Sequence, residues 1–301
     1  MTKIHAWFAL SRPAFHTVGI LPFILGAVVA YKVGGLFNFQ VFILGVIGVV
    51  LIMLSTYYGG EYWDHIEDSI SARGNKSPFA GGSGVVARGL LARRAALYGS
   101  IASLLLALLV GSVLQFIYRT GPFTLLLGVV GLFAGFFYSG RPIRWVRTGF
   151  GELWIAFCYG WLAVGASYYI QTRTIHPLVH WIAVPIGLTI FNVILLNEFA
   201  DYGADREAGK TNLLVRFGPK RGAYLYGIAS VTAWIFFVIS IHRGVPLKAL
   251  WLYLPVSILA AILASLVVTG RWQNSRLLKI MCGLNIVVNL CTTGSYILAF
   301  S

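Results

Sequence analysis

Acidic residues are concentrated in two short windows of the sequence. The chain has 301 residues and only nine Asp and Glu, and eight of these nine lie in the two windows. The first window holds Glu61, Asp64, Glu67 and Asp68, and the second holds Glu198, Asp201, Asp205 and Glu207. Carboxylates four residues apart share one face of a helix, where like charges repel by about 0.2–0.5 kcal/mol per pair. A hard divalent cation would remove this repulsion, and Mg2+ in particular uses one or two carboxylates together with substrate phosphates.

The two windows share a pattern that indicates an internal repeat. Residues 60–68, the first motif, align with residues 197–205, the second motif, at a constant offset of 137 residues. The common pattern is (Gly/Asn)-Glu-aromatic-x-Asp-x-x-x-Asp, and a basic residue, Arg73 or Lys210, stands five places after the last Asp of each copy. Two such carboxylate sets, facing each other across one cavity, would suit a diphosphate bridged by metal ions.

Two other interpretations of the acids stay open at this point. Charged residues beside a membrane are commonly solvated helix ends with no further role. Ionisable residues and internal repeats are also typical of secondary transporters, although those proteins place their key charges near the middle of the membrane. Here each motif follows an apolar segment, which places the acids at the ends of the predicted spans.

The elements that must position these acids are apolar segments long enough to cross a bilayer. Of all residues 58% are hydrophobic and 11% are charged, and the mean hydropathy is +0.81, which excludes a water-soluble globule. A membrane-crossing helix needs about 20 residues. Nine candidate spans lie near residues 14–32, 40–58, 96–117, 122–139, 151–170, 180–200, 223–241, 248–268 and 279–299. The sequence therefore predicts an all-α integral membrane bundle of about nine transmembrane helices, forming a single domain over residues 1–301.

The basic residues predict how this bundle is oriented. The N-terminus and the loops on its side hold 18 of the 23 Lys and Arg. The other side holds the remaining five, which are Lys32, Arg119, Arg173, Arg243 and Lys248. Because cytoplasmic loops are enriched in Lys and Arg, we expect a cytoplasmic N-terminus, an external C-terminus and both motifs on the cytoplasmic side of the cell inner membrane. This distribution explains the net charge of +14 without nucleic acid, for which the sequence has no binding motif.

With these motifs the chain resembles the UbiA superfamily of membrane prenyltransferases. Those proteins have nine transmembrane helices and two motifs of the form Asn-x-x-x-Asp-x-x-x-Asp, one after the second helix and one after the sixth. Asn197, Asp201 and Asp205 match the second motif, whereas the first motif has Gly60 in place of Asn. Residues 206–210 also resemble the family, and residues 149–153 and 168–172 are most similar to its menaquinone branch, the 1,4-dihydroxy-2-naphthoate polyprenyltransferases.

The resemblance implies a Mg2+-dependent transfer of an isoprenyl chain from an allylic diphosphate to an aromatic acceptor, with decarboxylation if that acceptor is 1,4-dihydroxy-2-naphthoate. Related branches use other acceptors, such as 4-hydroxybenzoate. The implied catalytic residues are Asp64, Asp68, Asp201 and Asp205. The implied metal ligands are Glu61, Asp64, Asp68, Asn197, Glu198, Asp201 and Asp205, with Glu61 as the substitute for the missing Asn. The implied substrate-binding residues are Arg73, Arg88, Tyr138, Arg141, Arg144, Glu152 and Lys210.

Overall fold

The computed structural model, which describes residues 2–71 and 82–301, is helical along most of the chain. Within these residues nine long apolar helices follow one another, named α1 to α9 in chain order. Their bounds are α1 Pro13–Gly34, α2 Phe39–Trp63, α3 Arg93–Ile117, α4 Thr124–Ser139, α5 Gly151–Thr172, α6 Pro177–Glu207, α7 Pro219–His242, α8 Lys248–Val268 and α9 Ser275–Phe300. The prediction of an all-α bundle is confirmed.

Eight of these helices have the length and apolar composition needed to cross a membrane. The exception is α4, which was expected over residues 122–139 and has only 16 residues. At 1.5 Å per residue it is about 24 Å long, less than the hydrocarbon thickness of about 30 Å. Large apolar side chains such as Leu105, Leu126 and Trp251 are exposed on the outside of the bundle, as expected for faces in contact with lipid.

Contacts between helix ends define two opposite ends of the bundle. At one end, Arg144, which follows α4, contacts Asp64 at the end of α2. At the other end, Lys32 in the last turn of α1 donates a hydrogen bond to the carbonyl of Ser301, at 3.2 Å. The C-terminal residue therefore lies at the end of the bundle away from the first motif.

The two motifs lie in different backbone environments. In the first motif, α2 ends at Trp63, Asp64 is its C-terminal cap, and a separate short helix follows over His65–Ser71. The second motif lies inside α6, which continues without interruption to Glu207. The repeat visible in the sequence therefore places one set of acids around a helix end and the other set along a continuous helix.

Candidate active site

One cavity of about 330 Å³ opens among α1, α2, α4, α5 and α6, and the acids of both motifs line it. Its lining includes all seven residues expected to bind metal, which are Glu61, Asp64, Asp68, Asn197, Glu198, Asp201 and Asp205. Tyr138 and Lys210 line it too. Away from the acids the wall is apolar and includes Val18, Phe23 and Leu162. The cavity thus has a charged head and an apolar body.

Asp64 in the first motif is held by side chains from the segment that follows α4. Its carboxylate accepts hydrogen bonds from Ser139 Oγ and from Arg144 Nη2, the latter at 2.8 Å. The same Arg144 nitrogen donates to Glu67 Oε1 at 2.9 Å. Burial raises the pKa of the Asp64 carboxyl above its ordinary value, although the hydrogen bonds from Ser139 and Arg144 and the charge of Lys210 act in the opposite direction. One guanidinium therefore neutralises two acids of the first window.

Two further carboxylates of the first motif bind main-chain amides. The oxygens of Glu61 accept hydrogen bonds from the N–H groups of Gly84 and Val86, at 3.2 and 3.4 Å. Asp68 Oδ1 accepts one from the N–H of Gly82 at 2.8 Å. These bonds hold the segment that starts at Gly82 against the end of α2. Glu61, expected as a metal ligand, thus has a contact with the backbone as well.

Lys210 lies close to acids of both motifs. Its Nζ forms an ion pair with Asp205 Oδ1 at 2.7 Å, and the other Asp205 oxygen accepts a hydrogen bond from Asn212 at 2.8 Å. Burial by itself would lower the pKa of Lys210, but the charges of Asp205, Asp64 and Asp201 outweigh burial and raise it. The ammonium group is therefore a cation that both motifs share.

The donor set fits a divalent cation, although the described residues form no preformed metal cluster. Asn197 Oδ1 and Glu198 Oε2 are buried and have no hydrogen-bond partner among the residues that the structure describes. Unpaired buried oxygens facing a cavity are costly unless a ligand satisfies them. Within residues 2–71 and 82–301 no three acids, His or Cys converge on one point. Such convergence is not required for Mg2+, which completes its shell with water and substrate phosphates.

Several expected substrate-binding residues lie outside the cavity. Arg141 is exposed, and Arg88 donates to the carbonyls of Gly84 and Ser83. Neither side chain lines the cavity. Arg73 lies outside the described residues.

The segment between α4 and α5 links the two motifs. Besides the contacts of Arg144 with the first motif, Arg147 Nη2 donates to the carbonyl of Ala208, just after the second motif. The carbonyl of Arg147 accepts a hydrogen bond from the N–H of Thr211 at 3.0 Å. Glu152, expected to bind substrate, accepts one from the N–H of Leu213 at 2.8 Å and does not line the cavity.

A basic residue that the sequence motifs did not single out lines the cavity. Arg12 precedes α1, and its guanidinium lies over the rings of Phe15 and Tyr57, at 4.4 and 5.5 Å from their centroids. Its backbone is left-handed, with φ of 49°, an uncommon conformation for a residue other than glycine. The sequence signal available for Arg12 was its position directly before the proline that begins α1.

Of the stretches that resemble the menaquinone branch, residues 168–172 lie at the end of the bundle away from the two motifs. Gln171 accepts a hydrogen bond from the N–H of Asn38 and donates one to its carbonyl, at 2.6 and 3.1 Å. The hydroxyl of Tyr169 accepts one from the N–H of Phe123 at 3.1 Å. Residues 168–172 do not line the cavity. Their contacts join α5 to neighbouring loops and give no information about which acceptor the cavity binds.

Comparison with known proteins gives consistent matches. The model of the UbiA prenyltransferase family matches residues 20–284. The 1,4-dihydroxy-2-naphthoate octaprenyltransferase of Bacillus subtilis is 28% identical over 76% of this chain and 71% of its own length. The 2-carboxy-1,4-naphthoquinone phytyltransferase of Synechocystis is 26% identical over 78% of this chain and 73% of its own length. A solved UbiA homolog from Archaeoglobus fulgidus, bound to DMAPP and Mg2+, aligns with a TM-score of 0.68 and 16% identity over 96% of this chain and 98% of that chain.

Proposed function

Because the chain belongs to the UbiA prenyltransferase family and is a polyprenyltransferase, we propose that its acceptor is 1,4-dihydroxy-2-naphthoate and that transfer proceeds with decarboxylation, as a step of menaquinone biosynthesis. Membership of a family of enzymes removes the secondary transporter from consideration. The names of the curated relatives from Bacillus subtilis and Synechocystis, both of which indicate naphthalene-ring substrates, support this choice of acceptor.

The observation that supports a prenyl diphosphate as the donor in this transfer is the shape and charge of the cavity. Its head is lined by two facing sets of carboxylates, and its body is apolar. A polyprenyl diphosphate has the complementary form, with a multiply charged anionic head and a hydrocarbon chain. The diphosphate would lie at the acids and the chain would extend along the apolar wall.

The cofactor proposed for this site is Mg2+, held by carboxylates of both motifs together with the buried oxygen of Asn197. When bound, the metal supplies positive charge that neutralises the diphosphate and stabilises it as a leaving group. The UbiA homolog from Archaeoglobus fulgidus was solved with Mg2+ and a prenyl diphosphate, which supports the same pairing here.

The residues of the chain then have separable tasks. Lys210, placed among acids of both motifs, presents a point charge to the diphosphate, and Tyr138 lines the same end of the cavity. The apolar body excludes water from the allylic carbon. The allylic C–O bond breaks with its electron pair on the diphosphate, and the carboxylated ring carbon of the acceptor forms the new C–C bond. Loss of CO2 returns the electron pair of the broken C–C bond to the ring and restores its aromaticity.

The orientation in the membrane is also a proposal. The 18 basic residues on the N-terminal side support a cytoplasmic N-terminus and a cytoplasmic active site, with the C-terminus external. A water-soluble diphosphate product would then be released into the cytoplasm, and the prenylated product would stay in the cell inner membrane.

A panel of acceptors tests the proposal. Membranes containing the protein, incubated with Mg2+ and an isoprenyl diphosphate, should convert 1,4-dihydroxy-2-naphthoate to a prenylated naphthoquinol and release diphosphate and CO2 in equal amounts. The products are followed by chromatography and by 14CO2 from a carboxyl-labelled acceptor.

Product with 4-hydroxybenzoate and none with the naphthoate would overturn the acceptor and leave the family unchanged. A prenylated naphthoate that retains its carboxyl group would overturn the decarboxylation alone.

A further inference from the structure

Arg12 carries a positive charge in the cavity wall that no described acid neutralises. The four ion pairs formed by the described residues involve Arg144, Arg147 and Lys210. Nor does the guanidinium of Arg12 donate a hydrogen bond to any residue within the described ranges. Arg12 directly precedes α1, and its side chain lines the cavity. The charge of Arg12 is thus available to a ligand in the cavity.

The position of Arg12 separates it from the acids that would hold a diphosphate. Its guanidinium lies 5.5 Å from the ring centroid of Tyr57. Tyr57 precedes Asp64 by two turns of α2, which at 1.5 Å per residue is about 10 Å along the helix. A diphosphate held at Asp64 would lie at the other end of this distance, although Glu61 is only one turn of α2 from Tyr57. Arg12 therefore faces the part of the cavity beyond the leaving group.

Aromatic side chains surround the guanidinium. It lies 4.4 Å from the ring centroid of Phe15, and the ring of His16 packs edge-on against Tyr57 at 5.5 Å. Tyr159 from α5 lies beside the Tyr57 hydroxyl and also lines the cavity. Aromatic rings attract other rings in edge-on and offset arrangements, and a guanidinium matches a carboxylate with two parallel hydrogen bonds. This combination suits a flat aromatic ring that bears a carboxylate.

We propose that Arg12 binds the carboxylate of the aromatic acceptor, with Phe15, Tyr57 and Tyr159 around the acceptor ring; this rests on the proposed function. Arg12 is then a specificity-determining residue that selects aromatic carboxylic acids over the corresponding phenols. It also distinguishes substrate from product. Once CO2 has left, the prenylated ring has no negative charge at that position, and Arg12 no longer holds it.

Equilibrium binding without donor and without Mg2+ tests this assignment independently of turnover. Purified wild-type protein is titrated under anaerobic conditions with 1,4-dihydroxy-2-naphthoate and with 1,4-dihydroxynaphthalene, which lacks only the carboxyl group. We expect the wild type to bind the carboxylate at least about tenfold more tightly, the effect of one charge-assisted contact. Arg12→Gln should abolish this preference, and Arg12→Lys should retain part of it because Lys makes a point contact.

Arg93→Gln is the matched control. Arg93 also lies over an aromatic ring, at 4.4 Å from the Tyr62 centroid, but it does not line the cavity. Its replacement should leave both affinities within about twofold of the wild type. If the wild type binds 1,4-dihydroxy-2-naphthoate and 1,4-dihydroxynaphthalene with equal affinity, the proposal is overturned whatever the variants show. An unchanged preference in folded Arg12→Gln would overturn it as well.

A second binding experiment, with the prenyl donor, tests whether Arg12 belongs to the acceptor site or to the diphosphate site. Geranyl diphosphate with Mg2+ should bind wild type and Arg12→Gln equally. Weaker diphosphate binding with an unchanged carboxylate preference would assign Arg12 to the donor and overturn the proposal. Failure of the proposed function gives a different result. If the wild type prenylates 4-hydroxybenzoate and not the naphthoate, the proposed acceptor fails, while an Arg12-dependent preference for carboxylates stands.

Discussion

The two motifs carry corresponding acids but are organised in different ways. In the first motif Asp64 contacts Arg144 and Ser139, while Glu61 accepts hydrogen bonds from backbone amides. In the second motif Asp205 pairs with Lys210, five residues later in the chain, and Asn197 Oδ1 has no partner in the described part of the chain. The first motif depends on distant segments, and the second is built almost entirely by α6 and the turn after it.

This difference indicates that the two motifs, although they share one pattern, have different roles. The first motif uses its carboxylates to fix the segment at Gly82 and the segment that holds Arg144. In the second motif, Asn197 Oδ1 and Glu198 Oε2 are buried at the cavity and have no partner among the described residues. Because unpaired buried oxygens favour binding of a cation, we expect metal binding to depend more on the second motif than on the first.

The largest effect is expected in the second motif. Asp201→Asn should lower diphosphate release by more than about a hundredfold, since even residues that only support a metal ligand contribute 10–100-fold. The control is Glu207→Gln, because Glu207 belongs to the same acidic window but is exposed and does not line the cavity. Diphosphate release by purified protein, with saturating donor and acceptor, is the measurement. Similar losses in both variants would argue against a specific role for Asp201.

A smaller effect is expected from Glu61→Gln. This variant distinguishes a role of Glu61 in holding the segment after Gly82 from a role as a metal ligand. The sequence makes Glu61 the substitute for the missing Asn, whereas its observed contacts are the N–H groups of Gly84 and Val86. Glu61→Gln should speed hydrogen exchange at these two amides by about tenfold in the absence of metal, because a neutral amide is a weaker acceptor than a carboxylate. Glu67→Gln is the control, since Glu67 contacts Arg144 instead.

The Mg2+ concentration for half-maximal activity is measured on the same Glu61→Gln protein. Unchanged exchange together with a raised Mg2+ requirement would identify Glu61 as a ligand and contradict the anchoring role.

The smallest effect is expected from exchanging the first residue of each motif. A Cβ at Gly60 would have Ser139 Oγ as its nearest neighbour, at the ordinary contact distance of 3.7 Å, so an Asn side chain can start there without a clash. Gly60→Asn should leave the melting temperature unchanged and leave the Mg2+ requirement unchanged or lower it. Asn197→Gly should raise that requirement by several-fold, since it removes an oxygen ligand. A lower Mg2+ requirement in Asn197→Gly would contradict the expectation that metal binding depends more on the second motif than on the first.

The sequence was sufficient to predict the helical bundle and to single out the acids that line the charged end of the cavity. Apolar length predicts spanning helices directly, because a helix must satisfy its own backbone in lipid. The offset of 137 residues between the motifs depends on residue identity alone. The shorter α4 was not foreseen, since the apolar run continues through residues 122 and 123 beyond the helix itself.

The partners of the charged residues could not be predicted. Arg144 was expected at a diphosphate and instead contacts two acids 80 and 77 residues earlier. Arg12 was passed over because no repeat or spacing marks it, and its place in the cavity results from the packing of α1 against α2. Such contacts depend on how helices pack together, which hydrophobic periodicity does not specify.

The link between α4 and α5 has a consequence for the biosynthesis of the protein. Asp64 is translated 80 residues before Arg144, and Arg147 is translated 61 residues before Ala208. Since a chain emerges from the ribosome in order, Asp64 can contact Arg144 only after α1 to α4 have been made. Arg147 in turn can contact Ala208 only after α6 has been made. The charged contacts between the two motifs therefore form only once α6 and the turn after it have been made, and the cavity wall is completed later still, when α9 contributes Ile286.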